Sequence, residues 1–447
     1  MPALKPIFVK AYWTLAGLGI IWATFLILLI NPTVQRHALY AHKLNTNLWH
    51  NVSNPEEFGF ASQSSHAATL ELHVLTNPQE GQVQPFWLDT TDGEKLFCWH
   101  VLPLDVYLQN EDQLVVGTTT GEVVDELKGT AGEKLLRNDA EARVVVNFHG
   151  NAGHLAQGWR PSTYRSISGI PHTHLLTCDY RGFGLSTLNN PPHLPTETGL
   201  ITDAVSLLSY VETDLKHPST RTVLLGQSLG TAVTAASALY FTDPSSSHLP
   251  SDLTHVSPLP KSHTGFAGIV LVAPFQDLAT LLETYKIGGF IPVLRPLRGY
   301  RRIANFLLGR IVDHWRTLPR LRALLSLTAA AKTPLRLTLL HARNDQDIDF
   351  RQSEALFQPL QSTMLAEEGV SAREERRSIH GSARVKRGAF AYKKVEDARG
   401  ERLLELEVVR FGGHNEVLGW TQVSLAVRRA WEAVERRAER VVGLDVE

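Results

Sequence analysis

Residues 11–30 read AYWTLAGLGIIWATFLILLI, an unbroken run of twenty residues without a charge. As a helix rising 1.5 Å per residue, such a run reaches about 30 Å, the thickness of a bilayer's hydrocarbon core. It is longer than the apolar region of a signal peptide, and NPTVQRHALYAH after it offers no convincing cleavage site. The pattern predicts one transmembrane anchor over 11–30, after a short tail (1–10) and before a juxtamembrane linker (31–82). Trp13 and Tyr40 suit positions at the two interfaces. Lys5 and Lys10 precede the span, whereas Arg36 and Lys43 follow it, a slight bias toward a cytosolic N-terminus. The body is then lumenal, in the endoplasmic reticulum or another endomembrane. Asn51-Val52-Ser53 supplies the one usable glycosylation acceptor, because proline blocks Asn31-Pro32-Thr33.

Residues 83–447 read as one body. Two apolar stretches around Thr91-Asp92-Gly93 predict a hairpin within 84–103. Short runs rich in Val, Leu and Ile follow at Arg143–Phe148, His174–Cys178, Thr222–Leu225, Gly268–Val272 and Leu335–Leu340. Such runs suit parallel strands covered on both faces. Helical segments fall between them, notably at 197–213 and 229–241, and a last strand, Leu404–Phe411, leads to a helix near 419–440. The alternation predicts an α/β fold with a mostly parallel sheet and helices on both sides. Residues 276–331 read as a helical cap. Residues 107–141 and 366–400 read as polar surface insertions, the second mobile.

Composition narrows the function. Lys and Arg total 44 against 45 Asp and Glu, so the basic excess of a nucleic-acid binder is missing. Two cysteines, Cys98 and Cys178, are too few for a disulfide scaffold or a multi-cysteine zinc module.

Four strand ends carry candidate chemistry. Gly226-Gln227-Ser228-Leu229-Gly230 joins a strand run to a helical run. A sharp strand-to-helix turn there presents the serine hydroxyl above the sheet as a nucleophile. His149-Gly150-Asn151-Ala152-Gly153-His154 follows the strand VVVNF. Such an early loop can supply one oxyanion-hole N–H beside the N–H after the nucleophile, which nominates Asn151 and Leu229. His149 and His154 read as structural, since no carboxylate or cysteine lies at metal-ligand spacing. Past the strand LRLTLL, Asp345, Asp347 and Asp349 compete for the triad acid, and Asp345, first beyond the strand, is preferred. After the last strand, Gly412-Gly413-His414 carries a histidine on a glycine-rich turn. The order Ser228, Asp345, His414 is that of a nucleophile-elbow hydrolase.

With HGNAGH, CDYRGFGLS (178–186), GQSLG, LLHARND and GGH in place, the chain resembles the lipases of α/β-hydrolase domain-containing subfamily twelve. The resemblance covers about 83–190, 197–241, 267–276 and 334–440, and DYRGFG is its most specific piece. It implies the α/β-hydrolase fold and a membrane-anchored serine hydrolase acting on lysophosphatidylserine or monoacylglycerol. Ser228, Asp345 and His414 would carry the triad roles, with a lipid ester and the bilayer as partners and no metal or organic cofactor. The chain departs from the family in its cap, its two insertions and its acid loop, Arg343-Asn344-Asp345, where relatives often have consecutive acids.

The cap bears Lys286, Arg295, Arg298, Arg301, Arg302, Arg310, Arg316, Arg320 and Arg322 among apolar residues, with Asp313 the lone acid over 286–325. A basic amphipathic segment can lie on an anionic bilayer or receive an anionic head group; a solvated basic face is the plain alternative. Other readings of the same triad are a protein-lipid thioesterase or a peptidase. A non-catalytic membrane tether and a metallohydrolase stand behind them. Cys98 and Cys178 fall on strands that would be neighbours in this fold, so a disulfide is geometrically possible. Two free buried thiols are the preferred reading.

Overall fold

The computed structural model describes residues 6–46, 49–61, 81–112, 114, 123–257, 265–287, 289–367, 369 and 389–444. Strands β1 (Val83–Asp89), β2 (Lys95–Val101), β3 (Arg143–Phe148), β4 (Thr173–Cys178), β5 (Thr222–Gln227) and β6 (Gly268–Val272) come first. A two-residue ribbon follows, β7 (Lys286–Ile287) with β8 (Ile291–Pro292), then β9 (Leu335–Ala342), β10 (Ala391–Glu396) and β11 (Arg402–Val409). Nine strands form one sheet in the order β1-β2-β4-β3-β5-β6-β9-β11-β10. Its middle, β4 through β11, is parallel, and antiparallel pairs close both edges.

The helices are α1 (Pro6–Leu28), α2 (Pro32–Tyr40), α3 (Leu104–Gln109), α4 (Ala131–Asn138), α5 (Arg160–Ser168) and α6 (Glu197–Thr213). They continue with α7 (Leu229–Thr242), α8 (Leu278–Thr284), α9 (Arg301–Leu308), α10 (Thr317–Ala330), α11 (Arg351–Glu367) and α12 (Thr421–Leu444). Two cores result from strand alternation. Val144, Val146 and Phe148 of β3 face α6, α7, α10 and α11. Val145 faces the other way, toward α5 and α12. Burial on both faces explains why the parallel strands are near-continuous apolar runs.

Helix α7 runs under the sheet, buried from Leu229 to Phe241. Its small residues allow close approach. A Cβ on Gly230 would meet the Phe148 carbonyl at 2.0 Å, and one on Gly226 would meet Thr234 Oγ1 at 2.3 Å. Both glycines of GQSLG are thus required by contact between β3, β5 and α7. The DYRGFG stretch serves packing too. The Arg181 guanidinium pairs with Asp92 and with Asp203 at 2.7 Å each, tying the β1–β2 turn to α6.

Helix α1 is long and apolar enough to cross a membrane, and nearly all of its apolar stretch is exposed. The chain beyond it departs from the expected linker. Asn31 caps α2 by accepting from the N–H groups of Thr33 and Val34, and Pro32 starts the helix. Arg36 pairs with Asp313 at 2.9 Å, and Tyr40 is fully buried with its ring edge-on to Trp315. Tyr40 therefore belongs to the core, not to a membrane interface.

The cap is smaller than expected. Helix α10 lies on α7 and α11 as a sheet-covering helix, leaving α8, the ribbon and α9 above the sheet's edge. Arg320, read as part of the basic face, is buried and paired with Glu197 at 2.6 Å. The insertion at 107–141 is partly structural. Val124 bonds β1 through Trp87 and Pro85, and α4 adds a helix. In the second insertion Ala391–Glu396 is strand β10, antiparallel to β11. Its Lys393, Lys394 and Glu396 look like loop charges in sequence, yet charged residues are common on edge strands. The mobility expected of this insertion falls on 370–388, outside the described residues. Cys98 and Cys178 stand directly opposite on β2 and β4 and are joined as a disulfide. The expectation of two free thiols is overturned because strand register aligns them face to face.

Candidate active site

The site lies at the carboxyl ends of the parallel strands, where open α/β sheets present their chemistry. Ser228 occupies the single step between β5 and α7, with φ 53° and ψ −120°. A residue bearing a Cβ holds such a conformation at a cost of about 1–3 kcal/mol. Neighbouring bonds fix it there. The Ser228 N–H donates to the Val272 carbonyl at 2.9 Å, and its own carbonyl accepts from Thr231 N–H at 2.9 Å and Thr231 Oγ1 at 2.6 Å.

Asp345 turns back from the end of β9. Its Oδ1 accepts from the N–H groups of Asp347 at 2.9 Å and Ile348 at 2.8 Å. Its Oδ2 lies 2.7 Å from His414 Nδ1. A carboxylate can only accept, so Nδ1 carries the proton and Nε2 is left free to act as a base. Burial alone would raise the Asp345 carboxyl, but the His414 charge and the hydrogen bonds of His414 and His341 hold it far below its ordinary range. Burial disfavours the His414 cation, yet the Asp345 charge and hydrogen bond outweigh it and raise the imidazole pKa.

Of the three competing acids, Asp345 is the one that meets His414. Asp347, its pKa raised by burial, makes no hydrogen bond to His414 among the described residues. Asp349 pairs instead with Arg351 at 3.0 Å in an exposed position. The loop of His414 is tethered on both sides. The Gly413 N–H donates to Asn344 Oδ1 at 3.0 Å, and Gln227 Nε2 donates to the His414 carbonyl at 3.3 Å. Among the described residues the Ser228 hydroxyl makes no hydrogen bond with His414. Catalytic hydrogen bonds of this kind are often long in ligand-free enzymes and tighten around a substrate.

The early loop meets the serine from above. A Cβ on Gly150 would come within 3.3 Å of Ser228 Cβ and 2.4 Å of Gln227 Oε1. Arg160, unmarked by any motif, organises this loop. Its Nη2 donates to the carbonyls of Gly150 at 2.9 Å, Asn151 at 3.0 Å and Ala152 at 3.0 Å. In a trans peptide the N–H points opposite to the C=O. Pulling the Gly150 carbonyl toward Arg160 therefore turns the Asn151 N–H the other way. Among the described residues neither Asn151 N–H nor Leu229 N–H donates within the protein.

His149 and His154 are both buried beside Asp179. His149 packs on Tyr180 with ring centroids 4.4 Å apart and lies 3.5 Å from Asp179. Burial pushes the Asp179 carboxyl up to about 7, against the nearby His154 and Arg160. His341 is a second residue that sequence patterning missed. Fully buried, it accepts at Nδ1 from the Ser353 hydroxyl at 2.6 Å. Its Nε2–H is shared between the Ile348 carbonyl at 3.0 Å and Asp345 Oδ2 at 3.2 Å. It therefore braces the same carboxylate oxygen that meets His414.

Two cavities meet here. An apolar one of about 380 Å³ has Ser228, Leu229, Asn151 and Ala152 on its floor and Phe275, Leu278 and Trp315 among its walls. A polar one of about 280 Å³ is lined by His414, Asn415, Gln227, Asp347 and Arg160. Asn151, Ala152 and Tyr285 border both.

Residues 144–414, more than half the chain, match the model of the alpha/beta hydrolase family. The chain belongs to that family. Human protein ABHD12B is 32% identical to this α/β hydrolase over 222 residues, 50% of this chain and 47% of ABHD12B. Uncharacterized protein YfhR of Salmonella typhi is 35% identical over 96 residues, 21% of this chain and 30% of YfhR. The match thus spans less than half the length of either relative. Among solved structures, the Pyrococcus furiosus esterase Pf2001 is similar with a TM-score of 0.43 at 12% identity, over 88% of this chain and 99% of that one.

Arg160→Gln leaves several half-buried loop carbonyls without their cationic donor. The expected loss is about 3 kcal/mol of stability, read by chemical unfolding. An unchanged midpoint would mean that the loop does not depend on the guanidinium.

Proposed function

We propose that this α/β hydrolase is a membrane-anchored serine hydrolase that cleaves the acyl ester of a lipid such as a lysophosphatidylserine or a monoacylglycerol. One observation carries the reading: Ser228 stands on the floor of an apolar cavity that is walled partly by the membrane-length helix α1. Such a cavity fits an acyl chain, and the adjoining polar chamber fits water and a departing alcohol. The resemblance of HGNAGH, CDYRGFGLS, GQSLG and GGH to the subfamily-twelve lipases supports the substrate class.

In this mechanism His414 Nε2 takes the Ser228 proton as Oγ attacks the ester carbonyl. Asp345 holds the imidazole tautomer and stabilises its cation. The Leu229 and Asn151 N–H groups bind the oxyanion, each worth about 3–4 kcal/mol by analogy with measured donors. His414 then protonates the leaving alcohol and activates water to release the fatty acid.

A body in an oxidising lumen of the endoplasmic reticulum or another endomembrane agrees with the Cys98–Cys178 disulfide. It also agrees with the exposure of Asn51 in its glycosylation sequence. Exposed Arg295, Arg298, Arg301 and Arg302 beside exposed Phe290, Ile291 and Phe306 suit a cap resting on an anionic bilayer.

Ser228→Ala should abolish both fluorophosphonate labelling and fatty-acid release while the thermal transition persists; full residual turnover in the variant would remove Ser228 from the mechanism. The pH profile tests its partners. His414 must be neutral to act as base, so activity falls as pH drops through its pKa. Because Asp345 raises that pKa, the acid limb of kcat/KM should lie above about 6.5, the ordinary value. Asp345→Asn should move the limb to lower pH and reduce kcat by about 10⁴. A limb unmoved by Asp345→Asn would break the assignment.

A further inference from the structure

We propose that helix α1 is a wall of the substrate site as well as an anchor, and that its inward residues set the acyl length accepted. The inference rests on the hydrolase reading above and goes beyond it.

Trp22, Phe25 and Leu26 are spaced i, i+3 and i+4 on one stripe of α1, and Leu29, in the turn just after the helix, continues it. That stripe packs on the cap. Leu26, 5% exposed, sits with Val293, Leu294 and Leu297, while Ile20, Ile21 and Ile27 on other faces are 65–68% exposed. The Trp22 indole N–H donates to the Val293 carbonyl at 3.2 Å, which fixes the rotation of the helix. Phe25, Leu26, Leu29 and Ile30 then line the same cavity whose floor is Ser228.

The chain after α1 holds this wall in place. Gln35 Nε2 donates to the carbonyls of Leu29 at 3.0 Å and Arg310 at 3.2 Å, and its Oε1 accepts from Val312 N–H at 2.8 Å. Arg36 grips Asp313. Leu39 accepts from Asn151 Nδ2 at 3.0 Å, and Tyr40 accepts from Ala152 N–H at 3.0 Å. These last two bonds run from the α1–α2 unit to the loop beside the nucleophile. A helix on a slack tether would make none of them. With α1 fixed against the loop and the cap, an acyl chain whose ester reaches Ser228 lies along α1. A lipid can pass from the bilayer to the serine by following that helix, without exposing its tail to water.

The test uses the full-length protein in vesicles. Its substrates are monoacylglycerols from octanoyl to stearoyl and, separately, an acetyl aryl ester that does not need the wall. Leu26→Trp and Leu29→Trp fill the cavity, so kcat/KM for the longest chains should fall by about tenfold or more, with the acetyl ester spared. Leu29→Ala, which removes volume and risks less steric conflict, should shift the optimum to longer chains. Ile27→Trp, facing away, should match the parent. Variant profiles superimposing on the parent's, or loss of acetyl and long-chain turnover by the same factor in all three inward variants, would overturn the proposal. A parent protein that hydrolyses none of the esters would instead overturn the hydrolase reading, and this inference with it.

Discussion

The left-handed backbone at Ser228 constrains nearly everything around it. A serine held at φ 53° has to be stabilised by its surroundings, and three elements do this at once. Strand β6 accepts its N–H, the first turn of α7 donates to its carbonyl, and the two flanking glycines let α7 close against β3 and β5. Filling either glycine would push the helix off the strands. The fully buried α7, the small residues along it and the parallel strands on each side are what this one turn demands. Among the described residues the same turn leaves the first N–H of α7, that of Leu229, without a partner and bordering the apolar cavity.

Around that turn the polar groups are arranged in layers. Arg160 draws the loop carbonyls to one side, which leaves the Asn151 N–H on the other. His341 and two backbone N–H groups hold the Asp345 carboxylate, which then holds His414. Each layer restricts the next, so few degrees of freedom remain at the imidazole. The apolar side is just as continuous. The wall of the cavity passes from Trp315 and the cap to the membrane-length helix α1 without a polar break at Leu26 or Leu29, so that helix and the site share one hydrophobic surface.

Much of this was legible in the sequence because strand and nucleophile-elbow patterns are local. Arg143–Phe148 and Gly268–Val272 form strands with the expected bounds, and Glu197–Thr213 is the helix expected there. Ser228, Asp345 and His414 could be nominated because each follows a strand run. What stayed hidden depends on contacts distant in sequence. Helix α2 is short and polar, and its role comes from docking on Asp313 and Trp315, more than 270 residues away. Arg160 looks like any surface arginine until the loop folds over it. His341 reads as the end of an apolar strand. Strand β10 carries the charges of an edge, which in a sequence resemble a loop. The cysteines needed the β2–β4 register before their pairing could be seen.

An experimental structure of the full-length protein, after reaction with a long-chain alkyl fluorophosphonate, tests the account most directly. Phosphorus should be bonded to Ser228 Oγ, with a phosphoryl oxygen within hydrogen-bonding distance of the Leu229 and Asn151 N–H groups. The alkyl chain should lie against Leu26 of α1 and Leu29 just beyond it. An unmodified Ser228, or a chain leaving the site on the side away from α1, would contradict it.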